Sequence, residues 1–297
     1  MRFTLRQLQV FLATARDENI SRAAQQLSMS QSAASGALKE LEHQFGVQLF
    51  DRVGKRLQLS ELGRELRPQA ENLLAQAEAL EQAMSGDTAG SLRLGATLTV
   101  GNYLAVPMIA EFRERYPGTD VSLHVANTRA IVNRVADFEL DVGMIEGEVS
   151  HRSLETLRWR DDELQVFAAP DHPLAQRARV TDRQLQQQAW IVREPGSGTR
   201  QVFERAMAGI LTGLDISMEL QHTEAIKRAV EAGLGVGCLS RISLREAFAR
   251  GSLVPLAVPQ RDFRRQLNLI LHRDKFHSET LRRWLQLCSE HSDDGAG

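Results

Sequence analysis

Residues 21–35 read Ser21-Arg22-Ala23-Ala24-Gln25-Gln26-Leu27-Ser28-Met29-Ser30-Gln31-Ser32-Ala33-Ala34-Ser35. Ser21 opens a short helix whose small Ala23 and Ala24 let a neighbouring helix approach closely. Ser28-Met29-Ser30 then makes a tight turn that ends in a helix N-cap. From Gln31 a further helix turns Ala34, Leu38, Leu41 and Phe45 inward, and Gln31, Ser32, Ser35 and Lys39 onto another face. Gly46 lies just past its end. Two such helices joined by a turn of about three or four residues match the helix-turn-helix plan, whose second helix enters the DNA major groove. Short polar groups at the start of that helix can reach base edges or phosphates without holding the helix away.

Both flanks extend this reading. Upstream, Leu5, Leu8, Phe11, Leu12 and Ala15 keep helical spacing behind Thr4, a candidate cap. Downstream, residues 49–59 alternate at both ends around a glycine turn, the pattern of a β-hairpin wing. Arg52, Lys55 and Arg56 at its tip can clamp backbone phosphates. A charged turn alone is common; placed directly after a helix-turn-helix it is far more specific.

The chain has 297 residues, with 42% hydrophobic, 25% charged and 5% aromatic residues, so more than one folded domain is expected. The net charge of −2 excludes a uniformly basic nucleic-acid coat, but the charge is unevenly spread. Residues 1–67 carry ten Lys/Arg against seven Asp/Glu, while residues 68–87 carry four acids and no base. Two cysteines, Cys238 and Cys288, make no disulfide framework and fit a reducing compartment. The apolar run at Val10–Ala13 is cut short by Arg16, Asp17 and Glu18, and 94–110 is too broken to span a bilayer. A cytoplasmic location away from membranes is expected.

Residues 60–85 read as one long helix in which Leu66, Leu73 and Leu80 interleave with Ala70, Ala77 and Met84 as an a/d seam. Such a seam predicts pairing with a second chain. Pro68 is expected to kink or restart the helix, and Gly86-Asp87-Thr88-Ala89-Gly90 reads as a hinge.

Beyond the hinge, strand-like and helical runs alternate, which predicts an α/β body with mainly parallel strands. Strands are expected at 92–97, 121–125, 142–145, 164–168, 190–193, 216–220, 236–239 and 267–271. Asp161-Asp162-Glu163 reads as a solvated turn near a domain crossover. Ligands of open α/β sheets sit beyond the carboxyl ends of strands. Those positions hold Thr97, Thr99 and Asn102, then Asn127 and Thr128, then Glu146, then Ser197, Gly198, Thr199 and Arg200, then Thr223. Gly196-Ser197-Gly198-Thr199-Arg200 combines free amides, hydroxyls, a helix start and a guanidinium, which suits a small anion. Thr99, Ser197, Thr199 and Arg200 are expected to converge on it, with Asn127 and Glu146 reading its polar edge.

Enzyme and cofactor chemistry finds no support here. There is no P-loop lysine, no G-x-S-x-G elbow and no zinc-like His or Cys spacing. The glycines at 233, 235 and 237 precede a strand, unlike those of a dinucleotide loop. Cys238 reads as inert core. No metal and no cofactor is expected.

The run from Gln7-Leu8-Gln9-Val10-Phe11 through Ala23–Leu27, Ser30–Ser35, Leu41-Glu42, Phe45–Arg52 and Leu62-Gly63 resembles the N-terminal domain of LysR-type transcriptional regulators. Many members carry Arg or Lys after the serine matching Ser35, whereas this chain has Gly36, which moves weight onto Lys39 and the wing. Residues 91–291 resemble, through Asp141-Val142-Gly143 and Ala232–Gly237, the hinged effector-binding domain of the same family, itself similar to periplasmic binding proteins. Stretches such as Met144-Ile145-Glu146-Gly147 and Glu224-Ala225-Ile226-Lys227 are most similar to the YeiE-like branch.

The resemblance implies a winged helix-turn-helix domain at 1–59 and a linker helix with hinge at 60–90. It implies an effector-binding domain at 91–297, of two Rossmann-like subdomains (91–162 with 268–297, and 163–267). It further implies binding to an interrupted inverted repeat in double-stranded DNA, contact with RNA polymerase, and antiparallel pairing of linkers in a homodimer or homotetramer. The absence of a leader and the presence of the head weigh against a transport solute-binding protein.

Overall fold

The computed structural model describes residues 2–53, 56–85 and 90–292. Three helices, α1 (Leu5–Asp17), α2 (Ile20–Gln26) and α3 (Gln31–Phe45), pack with an antiparallel hairpin of β1 (Phe50–Val53) and β2 (Arg56–Leu59). Each helix start is locally specified. Thr4 and Gln7 form a capping box on α1, the Asn19 carboxamide accepts from Ser21 N and Arg22 N at α2, and Ser30 Oγ accepts from Ala33 N at α3. The cap of α2 is thus Asn19, and Ser21 sits inside the first turn. Val10, Phe11, Ala24, Ala34, Leu38 and Leu41 build the core of this head.

Helix α4 (Glu61–Ser85) runs through Pro68 without interruption, so the expected restart does not occur. Leu66, Ala70 and Leu74 pack against the head core on both sides of the proline, and this burial holds the helix across its one missing backbone donor. The seam is therefore split. Leu66 and Ala70 serve the chain's own head, while Leu73, Leu80 and Met84 remain exposed, Met84 at 74%. Asn72 fixes α4 to the body, accepting from Phe276 N at 2.7 Å and donating to the Asp274 carbonyl. Residues 86–89 of the expected hinge lie outside the described residues.

Among the described residues, the body is built on nine strands. The first half has β3 (Ser91–Ala96), β4 (Asp120–Val125) and β5 (Val142–Glu146), all parallel. Their helices are α5 (Leu98–Val100), continued through a π-helical turn (Gly101–Ala105) into α6 (Val106–Arg115), and α7 (Thr128–Ala136). The long strand β6 (Leu154–Ala168) crosses to the second half. There α8 (Asp182–Gln186), β7 (Ala189–Arg193), α9 (Gly198–Ala206), β8 (Asp215–Leu220), α10 (Thr223–Glu231), β9 (Val236–Ser240) and α11 (Arg241–Arg250) follow. After the short β10 (Val254–Pro255), β11 (Arg264–His272) returns to the first half, and α12 (Glu279–Glu290) closes the chain.

The strand order is β4-β3-β5-β11-β6-β9-β7-β8, with β10 beside β6. Strand β11 pairs antiparallel with residues 154–163 of β6, with a register shift at Leu267/Asn268. Leu92, Leu94, Phe112 and Trp284 belong to an apolar core of the first half, and Val166, Trp190 and Phe203 to one of the second.

The solvated turn expected at 161–163 is instead the middle of β6. Asp162 lies opposite Arg265 in the ladder and is buried against it. Period-2 alternation sends Asp162 inward between two outward charged neighbours, so a run of acids reads as a turn although it is a strand. Among the described residues, no helix is long and apolar enough to cross a membrane.

Candidate functional site

On the head, Gln31, Ser32 and Lys39 are exposed and Ser35 is half-buried. Gln31, Ser35 and Lys39 recur at four-residue spacing and share a face. Ser32 Oγ lies 3.0 Å from the capping Ser30 Oγ. Ser21 and Arg52 are exposed as well. Lys55 and the side chain of Arg56 lie outside the described residues; the Arg56 backbone pairs with Val53. Two acids fix the wing to the helices. Glu42 Oε1 accepts from Leu49 N at 2.8 Å and Phe50 N at 3.3 Å, and Glu18 Oε1 accepts from Leu59 N at 3.0 Å. These contacts tie the hairpin to α3 and to the end of α1.

In the body, the carboxyl ends of β3, β4 and β5 face those of β7 and β8, as direct contacts show. Gly198 N donates to Thr128 Oγ1 at 3.1 Å, and that hydroxyl donates to the Glu146 carbonyl at 3.1 Å. A Cβ on Gly198 would overlap the Glu146 carbonyl, so only glycine permits this approach. Asn127 Nδ2 donates to Glu194 Oε1 at 3.2 Å. A cavity of about 460 Å³ opens between the halves, lined by Leu98, Asn102, Asn127, Glu194 and His222 among others.

Deeper in the cleft, Glu146 is fully enclosed. Its carboxylate accepts from Thr99 N at 2.9 Å, Thr199 Oγ1 at 2.8 Å and Arg265 Nη1 at 2.9 Å. Arg265 Nε reaches Asp162 at 2.6 Å, and Ser240 Oγ donates to the same carboxylate at 2.8 Å. Burial works to raise the pKa of Glu146, but the Arg265 charge and the bonds from Thr99 and Thr199 outweigh it, holding it at about 2. Glu146 is ionised and internally satisfied, and it clamps the two halves together.

Three other predicted residues behave oppositely. The hydroxyls of Thr97, Ser197 and Thr223 are buried and have no hydrogen-bond partner. Thr97 and Ser197 precede α5 and α9 without capping them, and Thr223 opens α10. Buried hydroxyls are normally bonded, so three unmet ones, each at a helix start after a strand, are unusual.

Arg200 does not join them. Its guanidinium donates to the Arg193 carbonyl at 2.9 Å, Glu219 at 2.8 Å and Glu204 at 2.6 Å, so the expected four-residue convergence on an anion does not form. Each of those acceptors lies on its own half, and such near carboxylates capture an arginine first. Glu194 is held by Arg193 at 2.8 Å.

Sequence reading missed Arg265. It also missed a second bridge, where Tyr103 OH donates to Glu224 at 2.7 Å while Lys227 Nζ reaches Tyr103 OH at 3.3 Å and the Ser243 carbonyl at 3.1 Å. Cys238 and Cys288 are free and buried, and burial pushes both thiols up. Among the described residues, no group of three or more His, Cys, Asp or Glu is placed to hold a metal ion.

Residues 5–64 match the family described as bacterial regulatory helix-turn-helix protein, lysR family, and residues 85–293 match the LysR substrate binding domain. The chain belongs to the LysR family. It is similar to YeiE of Escherichia coli K12, described as an uncharacterized HTH-type transcriptional regulator, with 44% identity covering 97% of this chain and 98% of that one. Among solved structures, a full-length OxyR variant from Pseudomonas aeruginosa shares the fold at a TM-score of 0.74, with 21% identity, covering 100% of this chain and 96% of that one. The Synechocystis CcmR regulatory domain, solved in complex with 2-PG, matches at a TM-score of 0.64 and 29% identity, covering 69% of this chain and 98% of that one. This LysR-type protein thus carries the DNA-binding and effector-binding domains of a transcriptional regulator.

Proposed function

We propose that this regulator binds a small oxyanion in the cleft between its body halves, and that the anion changes its DNA binding or promoter activation. The supporting observation is the set of unmet hydroxyls of Thr97, Ser197 and Thr223 at helix starts. With Arg193, Arg200 and Arg265 all engaged by carboxylates, the site offers hydroxyls, helix-terminal amides and the Asn102 and Asn127 side chains. Such a donor set suits a compact, strongly accepting ligand. The CcmR regulatory domain, solved in complex with 2-PG, supports small-ligand binding by a domain of this fold. Differential affinity for the closed body then shifts the relative setting of the subunits.

In this reading the head is 1–59, the linker and hinge 60–90, and the body 91–297, divided as 91–162 with 268–297 and 163–267. Gln31, Ser32 and Ser35 read bases of an interrupted inverted repeat, while Ser21, Lys39, Arg52, Lys55 and Arg56 hold phosphates. The exposed half of the α4 seam pairs two chains, in a dimer or tetramer that contacts RNA polymerase in the cytoplasm, and the protein is not an enzyme.

Calorimetry with a panel of small inorganic oxyanions and carboxylates tests the effector reading. Saturable binding that is lost in Ser197→Ala with Thr223→Ala supports it. Binding of a neutral or cationic metabolite alone refutes the anion and leaves the regulator intact. On DNA, Arg52→Ala should weaken all sequences and reduce the salt slope by about one, whereas Gln31→Ala should cost about 1–3 kcal/mol of base preference.

A further inference from the structure

A larger cavity, about 1130 Å³, lies where β6 and β11 cross between the halves, beside α9 and α11. It shares no lining residue with the strand-end cavity. Seven arginines line it against five carboxylates. The carboxylates are already matched by arginines of the same wall, as in Arg241–Glu163 at 2.7 Å and Arg158–Asp161 at 2.8 Å. Among the described residues this leaves Arg160 and Arg245 with no carboxylate partner; Arg160 instead lies 5.7 Å from the Trp159 ring centroid. The third feature is Arg265, whose side chain is 1% exposed and whose Nη2 has no hydrogen-bond partner.

We infer that this groove is a second ligand site, taking a small phosphate-bearing polyanion between Arg160 and Arg245 with Arg265 in its wall. Guanidinium forks match phosphate oxygens two at a time, and two unneutralised forks call for more than one phosphate group. Neutralised acids in the remaining wall remove the repulsion that would otherwise exclude such a ligand. Because Arg265 also holds Glu146 and Thr199, a ligand here lies against the wall that contains the clamp of the strand-end cleft. Occupation of either site therefore changes the affinity of the other, and the effect is reciprocal. The site stands apart from the oxyanion reading of that cleft.

Titration calorimetry of the full chain with inorganic pyrophosphate tests it. Saturable binding is expected, weakened about tenfold or more in Arg245→Ala and in Arg160→Ala and unchanged in Ser197→Ala. Arg245 is exposed, so its variant keeps the fold, which circular dichroism verifies. Absence of binding at millimolar pyrophosphate, affinity indifferent to both arginine variants, or an equal loss in Ser197→Ala overturns the inference.

Discussion

The head and the body hold themselves together by different means. In the head, the core is apolar, the caps are local, and Gln31, Ser32 and Lys39 of α3 are exposed, so its polar surface asks nothing of the interior. In the body, Glu146, Asp162 and Arg265 form a buried charged chain through the junction of the two halves. Buried ion pairs add little net stability over apolar packing but are costly to break singly. Here the pairs join residues of both halves through Arg265.

The sharpest way to break this contrast is to remove the shared cation. Arg265→Met strands two buried carboxylates and should destabilise the body by about 3–5 kcal/mol, seen as a lowered midpoint in urea unfolding. A similar loss for Arg52→Met on the head would erase the distinction. The pH dependence follows from Glu146. Its folded pKa of about 2 lies below its ordinary value, so its contribution is fully present above that ordinary carboxylate range and is lost as pH falls toward 2. In Arg265→Met this part of the acid sensitivity should disappear from unfolding curves.

Gly198→Ala comes next, since its methyl group would overlap the Glu146 carbonyl. Overpacking of this kind costs about 1–3 kcal/mol. It should push the halves apart, giving a larger radius in small-angle scattering and weaker effector binding. An unchanged radius with full stability would show that the close approach is not a constraint.

A smaller effect of opposite sign is expected from Thr97→Val and Ser197→Ala without ligand. Removing a buried unbonded hydroxyl should leave stability unchanged or raise it by about 1 kcal/mol, because its desolvation is not repaid. A loss of stability in thermal unfolding would mean these hydroxyls are already satisfied.

The smallest change lies on the head. Gly36 sits within α3, and a Cβ there meets nothing within 4 Å. Gly36→Ala should stabilise the helix by roughly 0.5–1 kcal/mol, and Gly36→Arg should steepen the salt dependence of DNA binding by about one. No change in salt slope would place this turn of α3 away from the phosphates.

The head was legible because its signals are local. Helical spacing of Leu8, Phe11 and Leu12, a capping serine at Ser30 and a stop at Gly46 each act within four residues, and the backbone obeys them. The positions of the strand ends were legible too, since period-2 runs alternate with helical ones; Thr97, Asn127, Ser197 and Thr223 accordingly stand at helix starts. Tertiary structure alone decided which charges meet. Arg265 and Asp162 are 103 residues apart, and Arg265 and Glu146 are 119 apart. Arg200 carries the sharper sequence motif, yet it is captured by Glu204 and Glu219 on its own half. An arginine's partner depends on which carboxylate the closed chain brings within hydrogen-bond reach, and electrostatic attraction carries no record of sequence order.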